Sequence, residues 1–164
     1  MNRLELIERA VAVVGHGCHY KLGEGGRLWH RATPWNPQML CDCTGYLSWC
    51  YGVDRHTDDP WYRNQNGGWI ESTAIVRDCE TPFGAFTGVP WQQALPGDTV
   101  VYGDRDGHQG HVGLVVKVDE MGPAEVVHCS TGNDRRTGDA IAVTGADLWQ
   151  TRGGIVARSK WVEA

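Results

Sequence analysis

Along the first fifteen residues, Leu4, Ile7, Ala10, Val11 and Val14 recur every three or four positions, with Glu5, Glu8 and Arg9 between them. Apolar residues at that spacing share one face of a helix, so the pattern predicts a helix ending at Gly15. The period is lost over residues 15–38, which are rich in Gly and end in Thr33-Pro34-Trp35-Asn36-Pro37, the composition of a long irregular connection. Residues 42–51 are largely apolar, open on Asp42 and stop at Gly52, which predicts a short buried helix with Asp42 as its N-cap. Residues 53–68 are polar and punctuated, 69–79 fit a further helix, and 80–98 read as loop.

Beyond residue 98 the period changes to two. Segments 99–103, 111–118, 124–130, 140–143 and 154–162 are short, rich in Val and separated by Gly, Asp or Pro, and predict strands of an antiparallel sheet. Helices followed by strands give an α+β domain rather than alternating βαβ units. In residues 111–118, Val112, Leu114, Val116 and Val118 fall on one face, and His111, Gly113, Val115 and Lys117 on the other. Gly113 leaves room on the His111 face for a close approach. The turn at residues 119–123 is short, so the strands on either side form a hairpin and His111 and His128 lie within reach of each other.

A length of 164 residues fits one domain with its own core. The eight Trp predict an aromatic core or groove, since Trp is costly to expose. The net charge of −5, with no basic block beyond Arg135-Arg136, argues against nucleic acid as a partner. No apolar run reaches the ~20 residues that span a bilayer. Glu5 and Glu8 interrupt the N-terminal apolar pattern, which is not the composition of a cleaved signal. Without such a signal, the six cysteines are expected to be thiols rather than a disulfide framework.

Three of them, Cys41, Cys43 and Cys50, lie close together in the chain. Cys43 falls in the first turn of the predicted helix, where the helix dipole favours a thiolate. It reads either as an activated nucleophile or as a buried apolar cysteine. With His111 and His128 on one sheet it completes a set of nucleophile, base and orienting group. Two other readings stay open. Cys41, Cys43 and Cys50 with His16, Cys18 and His19 offer metal-ligating atoms, although their spacing matches zinc sites poorly, and His108 with His111 offers a second pair. A non-catalytic binding module is the other.

The ordered set Asp42-Cys43-Thr44-Gly45-Tyr46, "LPGDTVVYG" (95–103), "GHVGLVV" (110–116) and "VVHCS" (126–130), with "HYKLGEGG" (19–26) upstream, resembles the NlpC family of cell-wall peptidases in the papain-like cysteine peptidase superfamily. The resemblance covers residues 10–130. It implies a papain-like core in which Cys43 is the nucleophile, His111 the base and His128 the orienting residue, with Tyr20 lining the pocket and Asp42 and Thr44 beside the nucleophile. It implies hydrolysis of an amide bond in the peptidoglycan stem peptide, often after D-glutamate, without metal or cofactor. Related papain-like domains transfer acyl groups or deamidate proteins, and that alternative stays open. The chain would then be a single domain over 1–164 with a Trp-rich insertion at about 53–95. Trp61, Trp69 and Trp91 in that insertion are expected either to anchor it or to line the substrate groove. A lone domain without a signal or wall-binding repeat fits delivery to the wall by a phage tail or a secretion machine.

Overall fold

The computed structural model describes residues 1–163. Helix α1 (Arg3–Val11) starts at a capping box: Asn2 Oδ1 accepts the Glu5 N–H and Glu5 Oε2 accepts the Asn2 N–H, both at 2.9 Å. Its inner face buries Leu6 and Ala10 against helix α2 (Cys43–Tyr51). All nine residues of α2 are buried, so it carries no polar face and forms the centre of the core. Asp42 caps it through the Gly45 N–H at 2.8 Å, and Gly52 ends it in the left-handed conformation at φ 69°.

Two glycine-lined backbones meet over the start of α2. A Cβ at Gly26 would meet the Gly45 backbone at 2.7–2.9 Å, and one at Gly45 would meet Glu24 O at 2.6 Å. Only residues without side chains allow this approach, and Gly26 also sits at φ 68°. The loop from Gly23 to Gly26 is thereby pressed onto α2. Strands β1 (His19–Tyr20) and β2 (Leu40–Cys41) pair in parallel on either side of it. At two residues each they are too short for a period to predict.

The main sheet is antiparallel and six-stranded, in the order β3-β8-β4-β5-β6-β7. It contains the five segments that alternation predicts: β4 (Thr99–Tyr102), β5 (His111–Asp119), β6 (Gly122–Cys129), β7 (Ile141–Gly145) and β8 (Ile155–Ser159). The sixth strand, β3 (Phe86–Val89), lies in residues expected to be loop and pairs with β8 at the sheet edge. Residues 53–95 are therefore built into the main sheet at their C-terminal end. They also hold helices α3 (Pro60–Asn66) and α4 (Ser72–Asp78). Two more helices, α5 (Thr131–Thr137) and α6 (Asp147–Thr151), fall among the strands, so the order is not strictly helices first. The class is α+β.

Each face of the sheet has its own apolar cluster. Val112, Leu114, Val127 and Cys129 face α2, while Val100, Val115, Val126 and Val156 pack around Trp149. A shift in register around Val116 breaks the alternation predicted for β5, and Val118 joins the second cluster instead of the face of Val112. Buried Asp98 ties the parts together: Arg3 reaches its Oδ1 at 2.9 Å, Arg158 its Oδ2 at 2.7 Å, and the Leu95 N–H donates at 2.9 Å. That carboxylate is why Pro96-Gly97-Asp98 leads into a strand. Among the described residues, no helix is long and apolar enough to cross a membrane.

Gly113 is the close approach expected from the sequence. A Cβ there would press on Val126, on Trp149 at 2.9 Å and on the His128 Cβ at 3.2 Å. We expect Gly113→Ala to cost about 1–3 kcal/mol through overpacking and to lower the melting temperature by several degrees. Gly132→Ala, whose nearest contact is 3.8 Å away, should melt no lower than the unaltered protein. Thermal unfolding of the two variants side by side checks this; equal melting would mean that the tight fit around Gly113 carries no energy.

Candidate functional site

Cys43 is the first residue of α2, and its position is fixed by Asp42. The Asp42 carboxylate is fully buried and both of its oxygens are engaged inside the protein. Oδ1 accepts from the Gly45 N–H at 2.8 Å and the Thr44 hydroxyl at 3.3 Å; Oδ2 accepts from the Gly23 N–H and from Arg55 Nη2, each at 2.7 Å. Asp42 and Thr44 border the groove beside Cys43, but their polar atoms hold the start of the helix. Arg55, itself 6% exposed, is the partner that sequence reasoning missed. It sits in a polar loop, and nothing local marks it as the counter-ion of a residue thirteen positions earlier.

The two histidines meet as the hairpin predicts. His111 Nε2 and His128 Nδ1 are 2.8 Å apart, with the rings edge to face. Their strands pair antiparallel, and both side chains lie on the face of Gly113, away from α2. Trp149 holds them there. It stacks on His111 with ring centroids 5.4 Å apart at 19°, and meets His128 edge-on at 4.9 Å. Its sequence surroundings, Ala146-Asp147-Leu148, carry no signal for this role. His128 Nε2 continues to Thr144 Oγ1 at 2.9 Å on β7.

Cys43 and His111 approach from opposite faces of the sheet and come together at the start of β5. The Val112 N–H is directed at the Cys43 sulfur, as is that of Thr44. A groove of about 150 Å³ is lined by Tyr20, Asp42, Cys43, Glu71 and Gln109. A neighbouring one of about 280 Å³ is lined by Tyr20, Tyr102, Gln109, His111 and Ser130. Tyr20, Gln109 and Gly110 line both, so the two grooves adjoin, one bordered by the thiol and the other by the imidazole. A larger cavity of about 470 Å³ holds neither Cys43 nor His111, but also borders Gln109. Tyr20 is held by its own N–H, which donates to Asp134 at 2.9 Å. Among the described residues, no hydrogen bond joins Cys43 to His111 in this resting geometry.

Burial sets the charge state. Desolvation, aided by the negative Asp42, pushes the Cys43 thiol up to about 12, against the pull of the Val112 N–H and Arg55. Desolvation brings His111 down to about 4. It brings His128 down to about 3, with help from His111 and Arg136. At neutral pH the resting site is thus a thiol beside two neutral imidazoles, not the thiolate expected from the helix dipole alone. A helix N-terminus favours the anion by less than it costs to bury the sulfur as one.

None of the tryptophans of residues 53–95 lines either groove, although Arg55, Glu71 and Ser72 of that stretch border Cys43. Trp91 sits on the opposite side of the sheet from α2, in the Trp149 cluster and against Gly122. Trp61 packs edge-to-face on buried Tyr62 and onto the main core. Both are anchors. Trp69 is 36% exposed and borders a separate pocket with Arg27, Asp54 and His56. It reaches the site only indirectly, since the Arg55 guanidinium that holds Asp42 lies 5.7 Å from its ring. Of the two expectations for these tryptophans, anchoring the segment or lining the groove beside Cys43, Trp61 and Trp91 follow the first and not the second, because a long loop can bury its aromatics in the nearest core.

The remaining cysteines also fall into place. All six are free thiols. Cys41 packs with Cys18 and Cys129 beneath the site, while Cys50 lies at the far end of α2 beside Tyr46. His19 points away to Asp134 at 2.9 Å. Among the described residues, no group of three or more His, Cys, Asp or Glu is arranged to hold a metal ion.

The depressed histidines imply acid lability. A histidine with a folded pKa of about 4 or 3 and an ordinary unfolded value near 6.5 contributes no penalty above about pH 6.5. Below it, the unfolded chain binds protons that the folded chain refuses, so stability falls as pH drops from 6.5 toward 4. Urea midpoints measured from pH 7 to pH 4.5 should decline, and His128→Gln should decline less steeply. Parallel slopes for the two proteins would count against a buried neutral pair.

No protein-family model matches the chain, and no curated protein is similar to it.

Proposed function

We propose that the protein is a cysteine peptidase or amidase of the NlpC type with a papain-like core, acting on an amide bond of the peptidoglycan stem peptide. The observation that carries this reading is the pair of adjoining grooves, walled in common by Tyr20, Gln109 and Gly110, one bordered by Cys43 and the other by His111, which is backed by His128 at 2.8 Å. Four of the five segments that resemble the family border these grooves, namely the glycine-rich loop over α2, the nucleophile turn, the start of β5 and the end of β6; the fifth reaches them only through Tyr102, since its Asp98 lies beside Val115, four residues along β5.

The chemistry follows from the resting charge state. With substrate in the groove, His111 Nδ1 takes the thiol proton as the sulfur attacks the carbonyl carbon. Excluding ions from the resting site is costly for a thiolate but favourable for concerted transfer, because charge develops only as the bond forms. The oxyanion of the tetrahedral intermediate then meets the Cys43 N–H, which lies in the first helical turn where the helix supplies no acceptor. Collapse breaks the C–N bond, and the His111 imidazolium gives its proton to the leaving amine. Water then attacks the thioester with His111 again as base, releasing acid and thiol.

Incubation with purified peptidoglycan and mass spectrometry of the soluble fragments tests the reading, and fragments that gain one water at a stem-peptide amide are expected. Cys43→Ala should release none while melting normally. His111→Asn should lower kcat by about 10²–10⁴, the usual contribution of a general base. His128→Asn, which retains one hydrogen-bonding group, should keep more activity than His111→Asn. Cys41→Ala and Cys50→Ala should keep most of it. A covalent thioester on Cys43 without hydrolysis would move the assignment to acyl transfer. Activity surviving Cys43→Ala would end it.

A further inference from the structure

The direction of the hydrogen bonds behind His111 decides whether it can act as a base, and the sequence motifs do not reach the residue that sets it. Both imidazoles are buried and neutral, so each carries one proton, and the two assignments exclude each other. If His111 donates from Nε2 to His128 Nδ1, then Nδ1 of His111 is bare and free to take the proton from Cys43. If His128 donates instead, the proton of His111 sits on Nδ1 and the base is blocked.

The far end of the chain of contacts distinguishes these cases. His128 Nε2 lies 2.9 Å from Thr144 Oγ1, and the Thr144 hydroxyl in turn lies 3.3 Å from the Gly145 carbonyl. That carbonyl can only accept. A hydroxyl donating to it presents a lone pair to His128, so His128 carries its proton on Nε2 and accepts at Nδ1. The other polar group near His128 Nε2 is the Asn133 amide nitrogen, at 3.5 Å. It has no proton to give: its two N–H groups face the carbonyls of His128 and Ala140, each at 3.2 Å. Arg136 fixes that orientation by donating to Asn133 Oδ1 at 2.9 Å. Arg136 also disfavours a second proton on His128, which would otherwise let both nitrogens donate.

We propose that Thr144 is a positioning residue: by accepting from His128 Nε2 and donating to the Gly145 carbonyl, it sets the tautomer of His128 and, through it, that of His111. Its catalytic consequence rests on the proposed role of His111 as base; its tautomer consequence does not. Thr144 occupies a suitable register, since on β7 it pairs with Val126, two residues before His128 on the same face of β6. The relay runs His111, His128, Thr144, Gly145 carbonyl across three adjacent strands. It moves no net charge, and every proton in it is accounted for.

Long-range ¹H–¹⁵N correlation of the histidine rings in the full-length labelled protein at pH 7 tests the proposal directly. Both His111 and His128 should be neutral with the proton on Nε2. In Thr144→Val, His128 should lose that preference and show a mixture of tautomers. The kcat on peptidoglycan should fall about tenfold, the loss expected for one buried neutral hydrogen bond, with KM within twofold. Thr144→Ser, which keeps the hydroxyl, should restore both the spectrum and the rate. An Nδ1 proton on His128 in the unaltered protein overturns the proposal whether or not any variant folds. So does a Thr144→Val spectrum with unchanged tautomers. The predicted tautomers in a protein that cuts no peptidoglycan would leave the relay standing and remove the peptidase reading instead.

Discussion

Asp42 is a carboxylate with no access to water, and burying it uncompensated would cost several kcal/mol. Four donors from three segments compensate it: Gly23 from the glycine-rich loop, Thr44 and Gly45 from the helix it caps, and Arg55 from the chain beyond that helix. Each donor that satisfies the charge also fixes a wall of the site. Gly23 brings in the loop whose backbone lies against Gly45, and with it Tyr20 on the paired strand β1. Arg55 secures the segment that leads to Trp69. Remove the carboxylate and Cys43 loses its fixed place in the first turn, while Arg55 becomes the buried charge without a partner. The dependence runs one way: the thiol does not hold Asp42, but Asp42 holds the thiol.

The same burial that makes this arrangement rigid governs the electrostatics of the reacting groups. A helix N-terminus lowers a thiol pKa by a dipole worth up to about 2 kcal/mol. Desolvation of the buried sulfur outweighs it and pushes the Cys43 thiol up to about 12. The neighbouring Asp42 charge adds to the upward shift. The imidazoles move the opposite way for the same reason, since burial disfavours whichever form is charged. The arrangement is therefore poised against premature ionisation.

Much of this architecture is legible in the chain. Asp42 and Gly52 mark α2 because caps act through adjacent residues, and recurring Val residues mark five strands of the main sheet because a half-buried strand repeats every two positions. The His111–His128 contact follows from register alone, once the short turn between their strands is read as a hairpin. What stays hidden depends on partners distant in sequence. β1 and β2 are two residues long and have no period to display, and β3, although as long as β4, reads Phe-Thr-Gly-Val and lacks the Val-rich core of the other strands. α5 and α6 are short, and α6 starts at Ala146 with no side-chain cap. Arg55, Trp149 and Thr144 join the site only through tertiary contacts with residues 13 to 38 positions away, and nothing local distinguishes them from other Arg, Trp and Thr. Trp61 and Trp91 mislead in the opposite direction. A tryptophan in a polar segment resembles a groove residue, but the segment itself needs an anchor, and the nearest core takes it.

The two faces of the sheet explain why the site can exist only where it does. α2 covers one face and carries the thiol; Trp149 covers the other and carries the stacked histidines. Through the middle of β5 the backbone separates the two clusters, and no side chain crosses it. At the strand's first residues the sheet ends, and the Val112 N–H faces the sulfur while His111, one residue earlier, turns to the other side. Gly110 keeps this corner narrow, since a Cβ there would meet Tyr102 and Gly103 backbone at 2.5–2.8 Å. A histidine two positions further along β5 would share the His111 face but lie beneath Val126 and Trp149, out of reach of α2. A histidine one position along would point into the core under α2 and lose His128. Only the opening residue of the strand can be held from behind by one layer of the protein and still act on a group supplied by the other.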